Sequence, residues 1–306
     1  MILEGMSGRA ERQYPLNRLT TWKIGGPAEL VYWPQTMEEM LVVWHRAKEA
    51  QIPVWLIGRG SNLLLPDEGL PGITLVTTSL QGIQWGNYTV KVEAGYALSR
   101  LALEAGERGW SGLEFARGIP GSLGGAVMMN AGAHGGEISS QIVSATVLWE
   151  DGSLKNLERN EMKFSYRHCS LRGRAWILEV QLNFFQGERE QILKIMKENM
   201  AQRTCKQPLD KPNAGSVFRN PPGDSAGRLI EASGWKGRRV GGVMVSDKHA
   251  NFIVNIGGAK AKDVLALIEE ISKDVQDKFG IALQSEIVYL DPQKSEIPLN
   301  IRALET

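Results

Sequence analysis

The sequence predicts an α+β protein built from two consecutive strand–helix units and a further α+β domain. Three observations carry that expectation. Residues 28–76 run strand, helix, strand, loop, strand; residues 88–185 run strand, helix, glycine-rich loop, strand, turn, strand; and a long amphipathic helix over 261–279 precedes a closing apolar strand over 281–290. Strands that alternate with helices in this way imply α/β units. At 306 residues the chain also exceeds the size at which one core stops growing, so two or three domains are expected.

In chain order, "AELVYW" (28–33) reads as a strand ended by Pro34. Thr36 followed three residues later by Glu39 is a capping-box signature, and Met37, Met40, Leu41, Val43 and Trp44 give the next helix its apolar stripe. "PVWLI" (53–57) is a buried strand that empties into the loop "GRGSN" (58–62), and "ITLVT" from Ile73 is another strand. The second unit begins with "YTVKVEAG" (88–95) and a helix over 98–108, passes through "ARGIPGSLGGAVMMNAGAHGG" (116–136), and closes with "IVSATVLW" from Ile142, the turn "EDGS" (150–153) and a strand near 176–185. A helix over 188–203 carries Ile192, Ile195, Met196 and Met200 on one face. Its end is the expected boundary, which divides the chain into parts 1–80, 81–203 and 204–306.

Composition narrows the function. An apolar fraction of 42% and a charged fraction of 23% are those of an ordinary globular protein. The net charge of +1 supplies no bulk field toward nucleic acid or anionic lipid, so local basic clusters must carry any anion binding. Glu4, Arg9 and Arg12 stand where a signal peptide needs an apolar core, and no later run approaches the ~18 apolar residues of a membrane span, which predicts a cytoplasmic protein. Cys169 and Cys205 lie outside any C-x-x-C or Cys/His ligand spacing, so neither a disulfide framework nor a metal site is expected.

Two glycine loops follow strands. "GRGSN" offers consecutive backbone N–H groups with the Ser61 hydroxyl and Asn62 amide; it is either a tight structural turn or a nest for phosphate oxygens. "GIPGSLGG" (118–125) opens a short helix whose first N–H groups favour an anion. So much glycine costs chain entropy, and either a demanding turn or a ligand lying against the backbone justifies it. Two such loops in adjacent units suit one diphosphate held between them. Neither loop is a dinucleotide fingerprint, since Gly118-x-x-Gly121-x-x-Gly124 is not G-x-G-x-x-G and Pro120 interrupts it, and no G-x-x-x-x-G-K-[ST] loop is present.

Further polar residues stand out downstream. Ser216 in "NAGSVFRNP" is not a G-x-S-x-G elbow; it is a turn serine or, with cations nearby, a proton donor. Glu286 lies in the apolar run "ALQSEIVYL", where an unpaired carboxylate is expensive, so it needs a partner or a task. Arg167 in "FSYRHC" is a carboxylate fork or a solvated cation. His168 and Cys169, as neighbours on a strand, point to opposite faces and form no couple. Lys206, Lys211, Arg228, Lys236, Arg238, Arg239, Lys248 and His249 concentrate positive charge in the last third, which suits an acidic substrate or a solvated surface.

From about Thr20 to Leu290, the blocks "TTWKIGGPAEL", "LIGRGSNLLL", "GLEFARGIPGSLGGAVMMNAGAHGGEI", "FSYRHCSL", "QPLDKPNAGSVFRNP", "AGRLIEASGWKG", "VSDKHANFIVN" and "SEIVYL" occur in order, and together the chain resembles the UDP-N-acetylenolpyruvoylglucosamine reductase family of flavoenzymes. The resemblance implies a two-part FAD-binding module of the vanillyl-alcohol-oxidase/PCMH type followed by an α+β substrate domain. It implies a cofactor cradle of Arg59, Gly60, Ser61 and Asn62 with Gly118, Ile119, Pro120, Gly121, Ser122 and Gly125, in which Ser61 and Asn62 reach the pyrophosphate while Asn130 and Gly132 shape the site. Asn62, with no histidine near the first loop, implies noncovalent FAD. NADPH is the implied hydride donor and UDP-N-acetylenolpyruvoylglucosamine the substrate, with no nucleic acid, membrane or obligate protein partner. By the same resemblance Ser216 matches the proton donor, Arg167 the arginine on the carboxylate side and Glu286 the motif glutamate, while Tyr166, Lys206, Asn220, Arg228, Lys236 and His249 match substrate contacts. The spacing from Tyr166 to Ser216 resembles the shorter subclass without a capping tyrosine loop. Two positions depart from the blocks, Arg219 for lysine and His134 for tyrosine; neither is expected to touch Arg167, Ser216 or Glu286. An FAD-dependent oxidase on the same module, with a histidyl-flavin, and a non-catalytic nucleotide- or flavin-binding protein are the rival readings.

Overall fold

Charge marks one sheet edge. Arg9–Pro15 is largely solvent-exposed and pairs antiparallel with Pro27–Trp33, a strand that the sequence pattern alone does not predict because its residues are those that protect an edge rather than fill a core. The computed structural model describes residues 2–292 and the backbone of Ile301–Ala303. Its first sheet has the order Arg9–Pro15, Pro27–Trp33, Leu70–Val76, Val54–Ile57, and beyond the edge pair it is parallel. The connecting helix Met37–Glu49 starts as expected, Thr36 Oγ1 accepting from Glu39 N at 3.2 Å. The reciprocal half of the capping box does not form. Glu39 instead accepts from Ser7 N at 2.7 Å, Ser7 Oγ at 2.6 Å, Gln35 N at 2.8 Å and Tyr32 Oη at 2.9 Å, so its carboxylate ties the N-terminal segment to the sheet.

The second sheet is antiparallel throughout, in the order Leu154–Glu158, Ile142–Trp149, Ala175–Asn183, Thr89–Glu93, Ile83–Trp85. The predicted turn over 150–153 closes with Trp149 N donating to Ser153 O at 2.9 Å. Helices Leu98–Glu107 and Arg189–Lys206 cover it; of the four apolar residues expected on the latter's face, Ile192 and Met196 are buried and Met200 is exposed. The two units share one core, in which Tyr32, Met40 and Trp44 pack with Leu148, Trp176 and Leu178, and the Trp44 and Trp176 rings meet edge-on at 5.8 Å.

The last part builds its core on the helix Ala261–Phe279 and the small sheet that includes Val243–Val245 and Ile253–Asn255. Trp22, Ile24 and Leu64 complete that core from the other end of the chain, and Trp22 Nε1 donates to Ile253 O at 2.9 Å. The closing strand is shorter than predicted. Only Val288–Leu290 forms a ladder, parallel to Leu63–Leu64 at the exit of the "GRGSN" loop. Before it, Ser285 Oγ takes the Ile287 N–H at 3.1 Å, a local bond that competes with strand pairing. No helix among the described residues is long and apolar enough to cross a membrane.

Partial burial works against the Glu39 charge, but the bonds from Ser7, Gln35 and Tyr32 outweigh it and hold the carboxyl down from 4.5 to about 2. A depressed folded-state pKa stabilises above the unfolded value and ceases to as pH falls through the folded one. Glu39→Gln should therefore lower stability at pH 7 by about 1–2 kcal/mol, given hydrogen bonds to a charged, partly exposed group. Urea unfolding of both proteins should show the gap constant at neutral pH and narrowing as pH drops below 4.5 toward 2.

Candidate active site

The two glycine loops meet. Ser61 Oγ donates to Pro120 O at 3.2 Å, and a cleft of about 420 Å³ opens between them. Gly60 holds φ +59°, and a Cβ there would lie 2.8 Å from Thr20 Cα; Gly121 holds φ +126°, where a Cβ would lie 2.8 Å from Ser61 Oγ. Glycine is thus required in each loop by conformation and by close approach. No protein acceptor among the described residues takes the N–H groups of Arg59, Gly60, Ser61, Asn62, Gly121 or Ser122, which leaves six donors in the two loops.

The donors differ from those expected. Leu123 N donates to Tyr96 O at 2.8 Å, Gly124 N to Ala94 O at 2.9 Å and Gly125 N to Ser122 Oγ at 3.5 Å, so the first amides of the helix Leu123–Met128 are consumed inside the protein. The Asn62 side chain is engaged as well, donating to Glu286 O at 2.9 Å. The Ser61 and Asn62 side chains line the cleft while bonded to protein carbonyls, and the open backbone amides of the two loops stand beside them. Arg59, Ile119, Pro120, Gly121, Ser122, Gly125 and Gly132 line the cleft with Gly60, Ser61 and Asn62; Gly118 and Asn130 do not. Gly118 packs beside Arg203 and Met200. Asn130 is fully buried, donating to Glu137 Oε2 at 3.0 Å and Ser165 O at 2.9 Å and accepting from Ser139 N at 3.2 Å. It braces the glycine stretch against the Arg167 segment from behind the wall.

That segment is a tight turn, not the strand the pattern suggests. Ser165 and His168 exchange both backbone hydrogen bonds at 3.0 Å, with Tyr166 and Arg167 at the tip and Arg167 at φ +54°. A non-glycine residue in that conformation costs about 1 kcal/mol and persists where surroundings fix it. Arg167 Nη2 donates to Gly132 O at 2.6 Å, and its Nε lies 3.5 Å from Glu286 Oε1. Burial pushes the Glu286 carboxyl up; Arg167, then Arg219 and Arg172, pull it back down. Ser216 lines the same cleft, so all three residues assigned to chemistry converge on it. Arg219 departs from expectation, because its Nη2 donates to Arg167 O at 3.2 Å. Cys169 is buried, its Sγ donating to Met162 O at 3.5 Å.

The six residues expected from the resemblance to contact substrate stand outside the cleft. Tyr166 is exposed at the turn, the Arg167 guanidinium 5.0 Å from its ring centre; Lys206 is exposed at a helix end. Asn220 Oδ1 accepts from Ala226 N at 3.1 Å, capping the helix Ala226–Ala232. Arg228 pairs with Asp224 and Lys236 with Glu231 at 2.8 Å. His249 packs on Phe252 at 4.9 Å, and burial, reinforced by the Lys236 charge, pulls its imidazole below the ordinary value. Cations that the sequence presents as one cluster are dispersed by the fold: Arg228 and Lys236 are in surface ion pairs, Lys248 Nζ donates to Thr204 O at 2.6 Å, and the Arg238 guanidinium lies 4.7 Å from the Trp235 ring.

Other residues, which no spacing singles out, do line the wall: Arg172, Arg203, Gln207, Trp55 and Trp176. Charged lining residues are Arg59, Arg167, Arg172 and Arg203 against Glu286 alone, a positive site suited to an acidic ligand. Burial pulls the Arg203 guanidinium below its ordinary value, and Arg172 Nη2 and Gln207 Oε1 are buried with no partner among the described residues. Open loop amides, unpaired cations and a wall with two tryptophans fit a flavin dinucleotide, whose diphosphate is anionic and whose ring systems are flat and largely apolar.

Residues 28–158 match the family described as an FAD binding domain, and residues 207–290 that described as UDP-N-acetylenolpyruvoylglucosamine reductase, C-terminal domain. The chain is 44% identical over 282 residues to UDP-N-acetylenolpyruvoylglucosamine reductase 2 of Symbiobacterium thermophilum, covering 92% of each chain. It is 45% identical over 289 residues to the UDP-N-acetylenolpyruvoylglucosamine reductase of Heliobacterium modesticaldum, covering 94% of this chain and 92% of that one. The crystal structure of UDP-N-acetylenolpyruvylglucosamine reductase from Thermus caldophilus matches with a TM-score of 0.79 at 38% identity, covering 94% of this chain and 100% of that one.

Gly121→Val should lower the flavin absorbance retained per protein after gel filtration, with the far-ultraviolet circular dichroism unchanged, because a β-branched residue at φ +126° displaces the Ser61 contact. Full retention by the variant would rule out the paired-loop cradle. With both modules matched and nearly the whole of its relatives' length spanned, the chain belongs to the UDP-N-acetylenolpyruvoylglucosamine reductase family and is an FAD-dependent oxidoreductase on a PCMH-type fold.

Proposed function

We propose that the chain reduces UDP-N-acetylenolpyruvoylglucosamine to UDP-N-acetylmuramate with NADPH, through noncovalent FAD, in cytoplasmic peptidoglycan precursor synthesis. The observation that carries this reading is the convergence of Arg167, Ser216 and Glu286 on the cleft that the two glycine loops border. Among the described lining residues there is no histidine or cysteine to tether a flavin, which supports noncovalent binding.

Bound there, FAD supplies hydride transfer from NADPH to C3 of the enolpyruvyl ether. The loop amides and Arg59 hold the diphosphate, and the walls exclude water. Addition at C3 builds enolate-like charge on C2 and the carboxylate, so a cation fixed before the reaction stabilises the transition state. Arg167 is such a cation, its direction set by the Gly132 carbonyl on one side and Glu286 on the other. Ser216 gives its hydroxyl proton to C2, and the arginines around it offset the cost of the alkoxide. Glu286 orients Arg167 through the contact of its Oε1 with the Arg167 Nε at 3.5 Å. In this reading the nucleotide end of the substrate extends beyond the cleft to Tyr166, Lys206, Asn220, Arg228, Lys236 and His249, and residues 204–306 form the substrate domain.

The purified protein should be yellow, release its colour in acid, bleach with NADPH and regain colour with UDP-N-acetylenolpyruvoylglucosamine. Ser216→Ala should leave bleaching intact while slowing recolouring by about 100-fold or more, the usual contribution of a general acid. Recolouring at the wild-type rate would remove Ser216 from the chemistry; a protein that takes up no FAD would remove the whole scheme.

A further inference from the structure

Residues 216–219 are held from both sides. Asn251, buried, accepts from Val217 N on its backbone carbonyl at 2.9 Å, while its side chain accepts from Phe218 N at 2.9 Å and donates to Phe218 O at 2.8 Å. On the other edge Glu286 N donates to Val217 O and Arg219 N donates to Gln284 O, each at 2.8 Å. Ser216 and Arg219 thus flank a stretch whose Val217 and Phe218 backbone groups are all paired, which holds the two ends at a fixed separation.

From its end Arg219 reaches into the FAD-binding part. Its Nη2 donates to Arg167 O at 3.2 Å, across 52 residues of sequence. That carbonyl belongs to the residue held at φ +54°, a conformation that lasts only where neighbours over-determine it. Ser165 and His168 close the turn, and Arg219 grips it from the other domain. The Nε of Arg219 is buried with no acceptor among the described residues, so the side chain holds this pose while leaving a donor unmet. Glu286 contacts Arg167, its Oε1 3.5 Å from the Arg167 Nε, and the charges of Arg167, Arg219 and Arg172 oppose the upward push of burial on its carboxyl.

We propose that Arg219 is a positioning residue for the second half of the reaction: through the Arg167 carbonyl it fixes the Arg167 guanidinium relative to Ser216 across the domain junction. The inference rests on the reaction proposed above, in which those two residues meet the enolpyruvyl group.

The test uses Arg219→Met and Arg219→Lys holoenzymes with Ser216→Ala as reference, following flavin absorbance separately through reduction by NADPH and reoxidation by UDP-N-acetylenolpyruvoylglucosamine. Arg219→Met should keep its FAD and its reduction rate within about twofold while reoxidation slows by about 100-fold, as when a catalytic group shifts by roughly an ångström. Arg219→Lys, whose ammonium reaches the same carbonyl without the planar fork, should slow reoxidation alone, by about tenfold. Wild-type reoxidation in Arg219→Met overturns the inference, and so does equal slowing of both halves or loss of FAD, which marks a merely structural residue. Should the methionine variant fail to fold, the lysine variant decides: selective slowing of reoxidation supports the inference, and wild-type rates in both halves overturn it. Ser216→Ala that reoxidises normally defeats the proposed proton donor itself, and is thereby told apart from a failure of Arg219.

Discussion

Asn62 joins the cofactor loop to the segment that carries Glu286. Its side chain donates to Glu286 O at 2.9 Å and its backbone carbonyl accepts from Val288 N at 3.0 Å, after which Leu63–Leu64 and Val288–Leu290 run parallel. A strand pair made of residues more than 220 positions apart is an expensive closure, and only a large buried interface sustains it. Trp22, Ile24 and Leu64 in the C-terminal core supply that interface. Without this junction the segment that carries Glu286 would have no fixed relation to the glycine loop at Asn62.

Electrostatics at the junction follow from the same constraint. Four arginines and one glutamate line a small cleft, an arrangement whose like-charge repulsion is tolerable only with anions bound or counter-groups close by. Glu286 supplies one negative charge, and burial alone would tend to neutralise it; the surrounding guanidinium groups oppose that tendency. The excess positive charge remains for ligands, matching a dinucleotide and a sugar nucleotide that both carry diphosphates.

Much of this was legible in the residues. The central strands of both sheets announce themselves by apolar or alternating runs and the long helix Ala261–Phe279 by its periodicity, whereas the exposed edge strands Arg9–Pro15, Leu154–Glu158 and Ile83–Trp85 do not. The two loops and Glu286 stand out in the sequence because glycine and buried charge are costly away from a purpose, whereas Arg167 and Ser216 stand out only through the family resemblance. Illegible were facts that depend on which partner a group finds. The helix amides at Leu123–Gly125 are taken by Tyr96, Ala94 and Ser122, and the Asn62 side chain by Glu286, and neither exchange has a local signature. Arg203 reads as one more polar helix-end residue until the fold sets it beside Gly118, and Tyr166–Arg167 reads as strand until Ser165 and His168 close the turn.

The bond from Trp22 Nε1 to Ile253 O spans 231 residues, and it bears on how the chain comes off the ribosome. Trp22 emerges well before its docking partner, so a large indole waits while the 231 positions up to Ile253 are synthesised. Domains of such proteins usually fold as they appear, N-terminal first. Here the opening unit cannot finish until the closing one arrives, and a truncated nascent product would display that ring as a handle for chaperones and proteases.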